Sequence, residues 1–408
     1  MSKPKLAFVS PVFLYPTDAG GKIRTTNILR GLKGGAFDIT LLSPASESQK
    51  AQWGDALAQV SDRFLGWQPS AERPRWQRVF DLFGDLPVNV ANDNTAAARE
   101  CVAQTLAREK FDVVVFDFVH AAVLKPVQLD AATVCFTHNV EAEIFGRHAQ
   151  TASNPLMRRV WASQYAKMQR FEREALSSFT SVIAVSERDA AFFRKDYALS
   201  EVADIPTGVD LDFFSWALPP TVDEANPPTV VFTGSMNWDA NIDGVTHFLD
   251  DVWPLVLREM PQARFVVVGR NAPASLIERG QKLSGVSFTG FVDDVRPYAH
   301  AAHAFVIPLR VGGGTRIKAF EAMAMGCPVV STAIGIEGLD VTPDEHYLQR
   351  DAPQDQANAV LALLRDADLR ERVSRQARQC VEDRYGHRVA ADVFEKICLS
   401  ALAKRRSA

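Results

Sequence analysis

Apolar residues along the chain gather in compact runs, separated by longer stretches where they recur every three or four positions. In the first half the runs are KLAFVS (5–10), FDITLLS (37–43), FDVVVFDF (111–118), ATVCFTH (132–138) and SVIAVS (181–186). The second half repeats the rhythm with TVVFTGS (229–235), ARFVVVG (263–269), VSFTGF (286–291), HAFVIPL (303–309) and CPVVST (327–332). Short, β-branched runs bounded by turn residues and spaced by helix-length segments predict buried parallel strands with crossover helices.

Between the halves, ALPPTVDEANPPT (217–229) carries Pro219, Pro220, Pro227 and Pro228 around an acidic, apolar-poor middle that continues neither core. The predicted organisation is therefore two doubly wound α/β domains with a cleft between them: an amino-terminal domain over 1–216, a linker over 217–228 and a second domain over 229–385. The tail 386–408 has helical apolar spacing at Val389, Val393, Ile397 and Leu402, and packs on either domain, a crossing back to the first included. One further segment, RPRWQRVFDLFGDLPV (73–88), sets Trp76, Val79, Phe80 and Phe83 at helical spacing beside Arg73, Arg75 and Arg78. It reads either as an amphipathic helix closing the first core or as an interfacial helix for an anionic membrane.

A chain of 408 residues is long enough for two such cores, and its net charge of -4 lacks the basic excess of a nucleic-acid binder. The five cysteines form no CxxC or Cys/His pattern, which favours a reducing cytoplasm over a disulfide framework or a zinc site. The opening MSKPKLAFVSPVF is too short an apolar run for a signal peptide, and no stretch reaches the roughly 20 apolar residues of a membrane span.

Ligands of such sheets sit beyond the carboxyl ends of the strands. Gly20 and Gly21 open a helix after the first strand, Gly234 and Ser235 follow the first strand of the second half, and neither place reads GxGxxG, so a nicotinamide cofactor is not expected. After HAFVIPL comes RVGGGTRIKAFEAMAMG, with Thr315 the expected N-cap of a helix ending at Gly326. Gly312, Gly313 and Gly314 would leave amides bare at a positive helix end, Arg316 and Lys318 add two cations, and the set suits a diphosphate. Glu321, one turn beyond Lys318, suits a pair of sugar hydroxyls or simply pairs with Lys318. Lys22 and Arg24 contact phosphate or acceptor, or stand solvated on their helix. His138 closes a strand, Glu141 and Glu143 fit a helix's first turn, and Asp210 and Asp212 spell a DxD at which no metal is expected.

These segments resemble glycosyltransferase family 4, retaining enzymes that use nucleotide sugars and have the GT-B fold, two Rossmann-like domains facing each other across a cleft. GGGTRIKAFEAMAMGCPVVST resembles the family's donor-binding signature, and SVIAVSERD with IPTGVDLDFF (205–214) its interdomain passage. FTGSMNWDANIDGVTHFL and VSFTGFVDDVRPYAHAAHAFVIPL resemble the nucleotide-binding domain, while PTDAGGKIRTTNILRGL and THNVEAE (137–143) resemble the amino-terminal loop and histidine motif. The resemblance implies that His138 faces the donor sugar and that Val292 and its neighbours meet the base through backbone groups. It implies a UDP- or GDP-linked sugar as donor, a saccharide or polyprenyl-linked acceptor, no cofactor, and a cytoplasmic enzyme, peripheral at the inner membrane face where its acceptor is lipid-linked. Two departures stand out. The first of the family's two glutamates falls on Gly313, and the arginine and lysine that anchor phosphate after the first strand of the second domain are replaced within SMNWDAN (235–241). Arg316 and Lys318 are therefore the expected source of phosphate charge. The same resemblance leaves a GT-B sugar epimerase or an inactive nucleotide-sugar binder as alternatives.

Overall fold

A computed structural model describes residues 3–17, 19–69, 82–151, 154–311 and 316–407. Gly312 to Thr315 lie outside the described residues, as do Arg73 to Phe80 of the basic aromatic segment. The helix that follows the glycines starts at Ile317, with Arg316, not the expected Thr315, as its N-cap residue. The chain divides into two compact units, 1–208 with 387–408, and 209–386.

The first unit is built on β1 (Lys5–Val9), β2 (Asp38–Pro44), β3 (Arg63–Trp67), β4 (Val113–Asp117), β5 (Ala132–Phe136), β6 (Ser181–Ala184) and β7 (Val202–Asp204). They form one sheet in the order β3-β2-β1-β4-β5-β6-β7, every neighbouring pair parallel. The order reverses between β1 and β4, where Leu6 pairs with Ile39 on one side and Val113 on the other. The second unit holds β8 (Thr229–Thr233), β9 (Arg264–Val268), β10 (Val286–Gly290), β11 (Ala304–Ile307), β12 (Val329–Ser331) and β13 (Leu348–Gln349), in the order β10-β9-β8-β11-β12-β13 and again parallel. Its reversal lies between β8 and β11. Strands of both centres are apolar on both faces, as helix-covered parallel sheets require: β4 and β5 are buried throughout.

The ten apolar runs are all strands, and the structure adds β3, β7 and β13, three of the four edge strands. The boundary between the units differs from the expected one. It falls at Gly208 rather than in 217–228, because the chain from Val209 onward is bound along the second unit. Val209 N–H donates to Tyr385 O (2.7 Å), Trp216 Nε1 to Ser374 Oγ (3.2 Å), Ala217 N–H to Met325 O (3.2 Å) and Arg370 to Pro220 O (3.4 Å). The proline-rich stretch is thus a strap on the second unit.

The carboxyl-terminal helix His387–Ser407 belongs to the first unit. Phe394 is fully buried there, 5.2 Å from the Phe136 ring and 6.4 Å from Phe8. It lies so close to helix Gly20–Leu32 that a Cβ on Gly31 would stand 2.3 Å from the Ala391 Cβ. Of the segment 73–88, the described end exposes Phe83 and is held by Lys167, whose ammonium donates to Leu82 O (2.8 Å) and to Gly84 O. Among the described residues no helix is long and apolar enough to cross a membrane.

Candidate donor site

Both reversals place side chains where an open α/β sheet receives ligands. At the first, β4 ends on Asp117, a wholly buried carboxylate. It accepts hydrogen bonds from Ser10 Oγ (2.9 Å), from Thr25 Oγ1 (3.1 Å to each oxygen) and from His138 Nε2 (2.8 Å). An ionised carboxylate only accepts, so Nε2 carries the hydrogen, and in a neutral ring Nδ1 is left as a lone pair. Nδ1 is buried without a partner. It lies behind Gly21, 3.7 Å from where a Cβ there would stand.

Phe118 follows with φ 64 and ψ 147, a conformation that is essentially glycine's and costs about 1–3 kcal/mol for any other residue. The strain is held by Phe118 N–H donating to Phe136 O (2.8 Å) and by the ring stacking on His138 at 3.9 Å and 20°. Gly21 makes room for that ring, since a Cβ would come within 2.6 Å of it. Gly20 faces open space.

Of the two cations on that helix, Lys22 donates to Pro16 O at 3.3 Å. Arg24 is buried, with Nε and Nη2 unpartnered, and burial pulls its pKa down to about 10 against the pull of Asp189. Glu141 and Glu143 sit in the first turn of helix Glu141–Thr151. The amides of Glu141 and Ala142 donate to the buried Glu172 carboxylate (2.9 and 3.3 Å), which satisfies that helix end, and Glu143 pairs with Arg188. Asp210 accepts from Asp212 N–H (3.2 Å) and Phe213 N–H (3.0 Å), so its half of the DxD caps a turn.

At the second reversal the turn after β8 is bare backbone. Gly234 N–H donates to Val268 O (2.9 Å), and Gly269, at φ 156, is so close that a Cβ would stand 1.9 Å from Gly234 O. Lys318, on helix Ile317–Ala324 after β11, reaches across to this turn. Its Nζ donates to Asn241 Oδ1 (2.8 Å), lies 4.5 Å from the centre of the Phe232 ring and stands 2.8 Å from where a Gly234 Cβ would be. Asn241 in turn donates from Nδ2 to Ser235 O at 2.8 Å. Glu321 lies one helical turn on, half-buried, with no hydrogen-bond partner among the described residues. Burial pulls Lys318 down to about 7, opposed by Glu321 and aided by Arg316, and burial pushes Glu321 up to about 7 against the pull of Lys318. Each is a charge short of solvation.

Arg316 is placed differently. It is 2% exposed, its Nε donates to Ile334 O (3.2 Å), Glu337 lies 4.0 Å away and the Trp238 ring 5.6 Å. Burial lowers its pKa, against Glu337. Val292 packs on the apolar cluster under β11. The structure therefore brings Lys318, Gly234 and Ser235 to one turn, leaves Glu321 one helical turn beyond Lys318, and sets Arg316 toward the loop after β12. Asp117, Phe118 and Asn241 were not singled out in the sequence. Asp117 had a signal there, the acid that ends an otherwise apolar strand run; Asn241 had none.

A bare turn, a poorly solvated ammonium and a half-buried carboxylate near a topological switch point have the chemistry to take an anion joined to hydroxyls. Residues 20–213 match the family described as Glycosyltransferase Family 4, and residues 227–366 the one described as Glycosyl transferases group 1. The chain is a family 4-type glycosyltransferase. This glycosyltransferase is 21% identical over 358 residues to an uncharacterised 44.6 kDa protein in the cps region of Klebsiella pneumoniae, covering 84% of the chain and 87% of that relative. It is 29% identical over 182 residues to the phosphatidyl-myo-inositol mannosyltransferase of Mycobacterium tuberculosis, covering 42% of the chain and 47% of that enzyme. Its fold matches that of Anabaena HepE in complex with UDP, with a TM-score of 0.63, 14% identity and coverage of 97% and 100% of the two chains. The glycosyltransferase has the GT-B architecture.

Proposed function

We propose that this glycosyltransferase moves a sugar, with retention, from a UDP- or GDP-linked donor to a saccharide or lipid-linked acceptor in cell-surface glycan synthesis. The observation that carries the reading is the Lys318 ammonium held at the bare Gly234 turn, a cation at a backbone with no side chain in the way. HepE is described with UDP, and the mycobacterial relative is named for a lipid acceptor. Both names are consistent with the reading.

In this scheme the bond from the anomeric carbon to the diphosphate oxygen breaks as the bond to the acceptor oxygen forms on the same face. The acceptor's proton passes to the departing diphosphate, so no protein carboxylate need act as base. The protein's work is to stabilise charge growing on the diphosphate, and losing one such donor typically costs about 3–4 kcal/mol of barrier. Lys318 and Arg316 are assigned that charge, and the amides of Gly312 to Gly314 the sugar end of the donor. Glu321 accepts from paired hydroxyls. His138 is assigned to the donor sugar, with Nδ1 buried behind Gly21 of helix Gly20–Leu32. Gly20 and Gly21 are assigned to the donor, and Lys22 and Arg24 to a phosphate or acceptor contact. The enzyme acts in the cytoplasm, with residues 73–88 as its contact to an anionic membrane.

The test is incubation with UDP- and GDP-sugars, with and without lipid extract, following nucleoside diphosphate release and product. Transfer with the anomeric configuration kept supports the reading. Epimer formation, inversion, or binding without release overturns it.

A further inference from the structure

The turn after β8 reads SMNWDAN (235–241) and carries no lysine or arginine. The structure fills that place from another element. Lys318 Nζ arrives from the helix after β11, a separation of 77 residues from its partner Asn241, and stops at the turn after β8. Three features fix it there. Asn241 Oδ1 accepts one of its hydrogens at 2.8 Å, the Phe232 ring lies 4.5 Å from it on the strand side, and Gly234 leaves the space that any Cβ would take. Asn241 is itself fixed, 3% exposed, with Nδ2 on Ser235 O. An ammonium has three donors, and Asn241 takes one.

We infer that Asn241 is a positioning residue for phosphate, holding Lys318 so that this helix supplies, from across the turn, the positive charge that the turn itself lacks. The inference rests on the donor-binding reading above and adds to it the direction from which the charge comes. Asn241 touches no substrate; it acts through Lys318. Without it, a long side chain with several rotamers would be ordered only by the ligand, and that ordering would weaken binding.

The experiment is calorimetric titration of the full chain with UDP and with GDP, on wild type, Asn241→Ala, Asn241→Ser, Lys318→Asn and the exchanged pair Asn241→Lys with Lys318→Asn. The expected result is that Lys318→Asn weakens the bound nucleotide about 100-fold and Asn241→Ala about tenfold. Asn241→Ser, which keeps a short acceptor, should fall between Asn241→Ala and wild type. The exchanged pair should recover to within about tenfold of wild type, because the ammonium returns to the same turn from the other side. Recovery in the exchanged pair is the outcome that a merely structural asparagine would not give. If the Asn241 variants bind as wild type does while Lys318→Asn does not, or if the exchanged pair is no better than Lys318→Asn, the positioning role is overturned and the donor site stands. If wild type binds neither nucleotide, the donor-binding reading fails and takes this inference with it.

Discussion

At the carboxyl end of β4, Asp117 is wholly buried and meets Ser10, Thr25 and His138 with both its oxygens. At the carboxyl end of β11, Lys318 meets one amide oxygen and an aromatic ring, and Glu321 one turn away meets nothing among the described residues. The two places are equivalent in topology, each at the reversal of a parallel sheet. They differ in what completes them. A carboxylate with all its partners in the chain contributes to folding, whereas a desolvated ammonium with a single hydrogen-bond acceptor among the described residues is a cost to the fold that a ligand offsets. Charge at a strand's carboxyl end thus has two meanings, and satisfaction of its hydrogen bonds tells them apart.

The largest effect that would break this contrast lies at Asp117. Asp117→Ala removes the acceptor of three buried donors, and breaking such a buried pair costs about 3–5 kcal/mol. Thermal denaturation of the variant should show a loss of that size in the first unit, with nucleotide affinity unchanged in whatever protein remains folded. A loss under about 1 kcal/mol would mean that the Asp117 cluster is not what holds the two strand ends together.

Lys318→Met reverses the expectation. The thioether keeps most of the side-chain volume and removes a charge that burial already pulls down to about 7. Stability should be unchanged or slightly higher, while affinity for the nucleoside diphosphate falls about 100-fold, near 2.7 kcal/mol. Calorimetry and a melting curve on one sample decide it. A variant that melts well below wild type would make Lys318 a structural residue and erase the difference between the two regions.

The two regions also differ in how much the sequence discloses. The strands that carry them were legible as apolar runs, because a sheet covered on both faces admits little else. So were Gly234, Lys318 and Glu321, whose residue types match the chemistry of a diphosphate joined to hydroxyls. What the pattern could not supply was pairing across long separations. Nothing local says that Asp117 meets Thr25, 92 residues away, or that Asn241 meets Lys318. Phe118 was invisible for another reason: its positive φ is imposed by stacking on His138 and by the gap at Gly21, and no propensity announces a phenylalanine in a glycine's conformation. The boundary was misread because Pro219 and Pro220 suggest a free linker, while their neighbours' backbone groups are bound along the second unit.

The smallest expected effect is a proton. Lys318 titrates near 7 in the free site because burial disfavours its charge, with Glu321 opposing and Arg316 reinforcing the shift. A diphosphate beside the ammonium favours the charged form and raises that pKa, so binding above pH 7 must take up a proton. With the bound ammonium fully charged, affinity should fall about fivefold between pH 7 and 8 from this group alone. Glu321 titrates in the same range, raised by burial, and its own response overlaps the first. The comparison that isolates Lys318 is therefore wild type against Lys318→Met, titrated with a nucleotide sugar whose diphosphate does not itself change charge in that range. Calorimetry at pH 7.5 in buffers of different ionisation heat counts the protons. Wild type should take up more than the variant; equal uptake in both would show that Lys318 is already charged before the ligand arrives, and the ammonium at the Gly234 turn would then be solvated like any surface lysine.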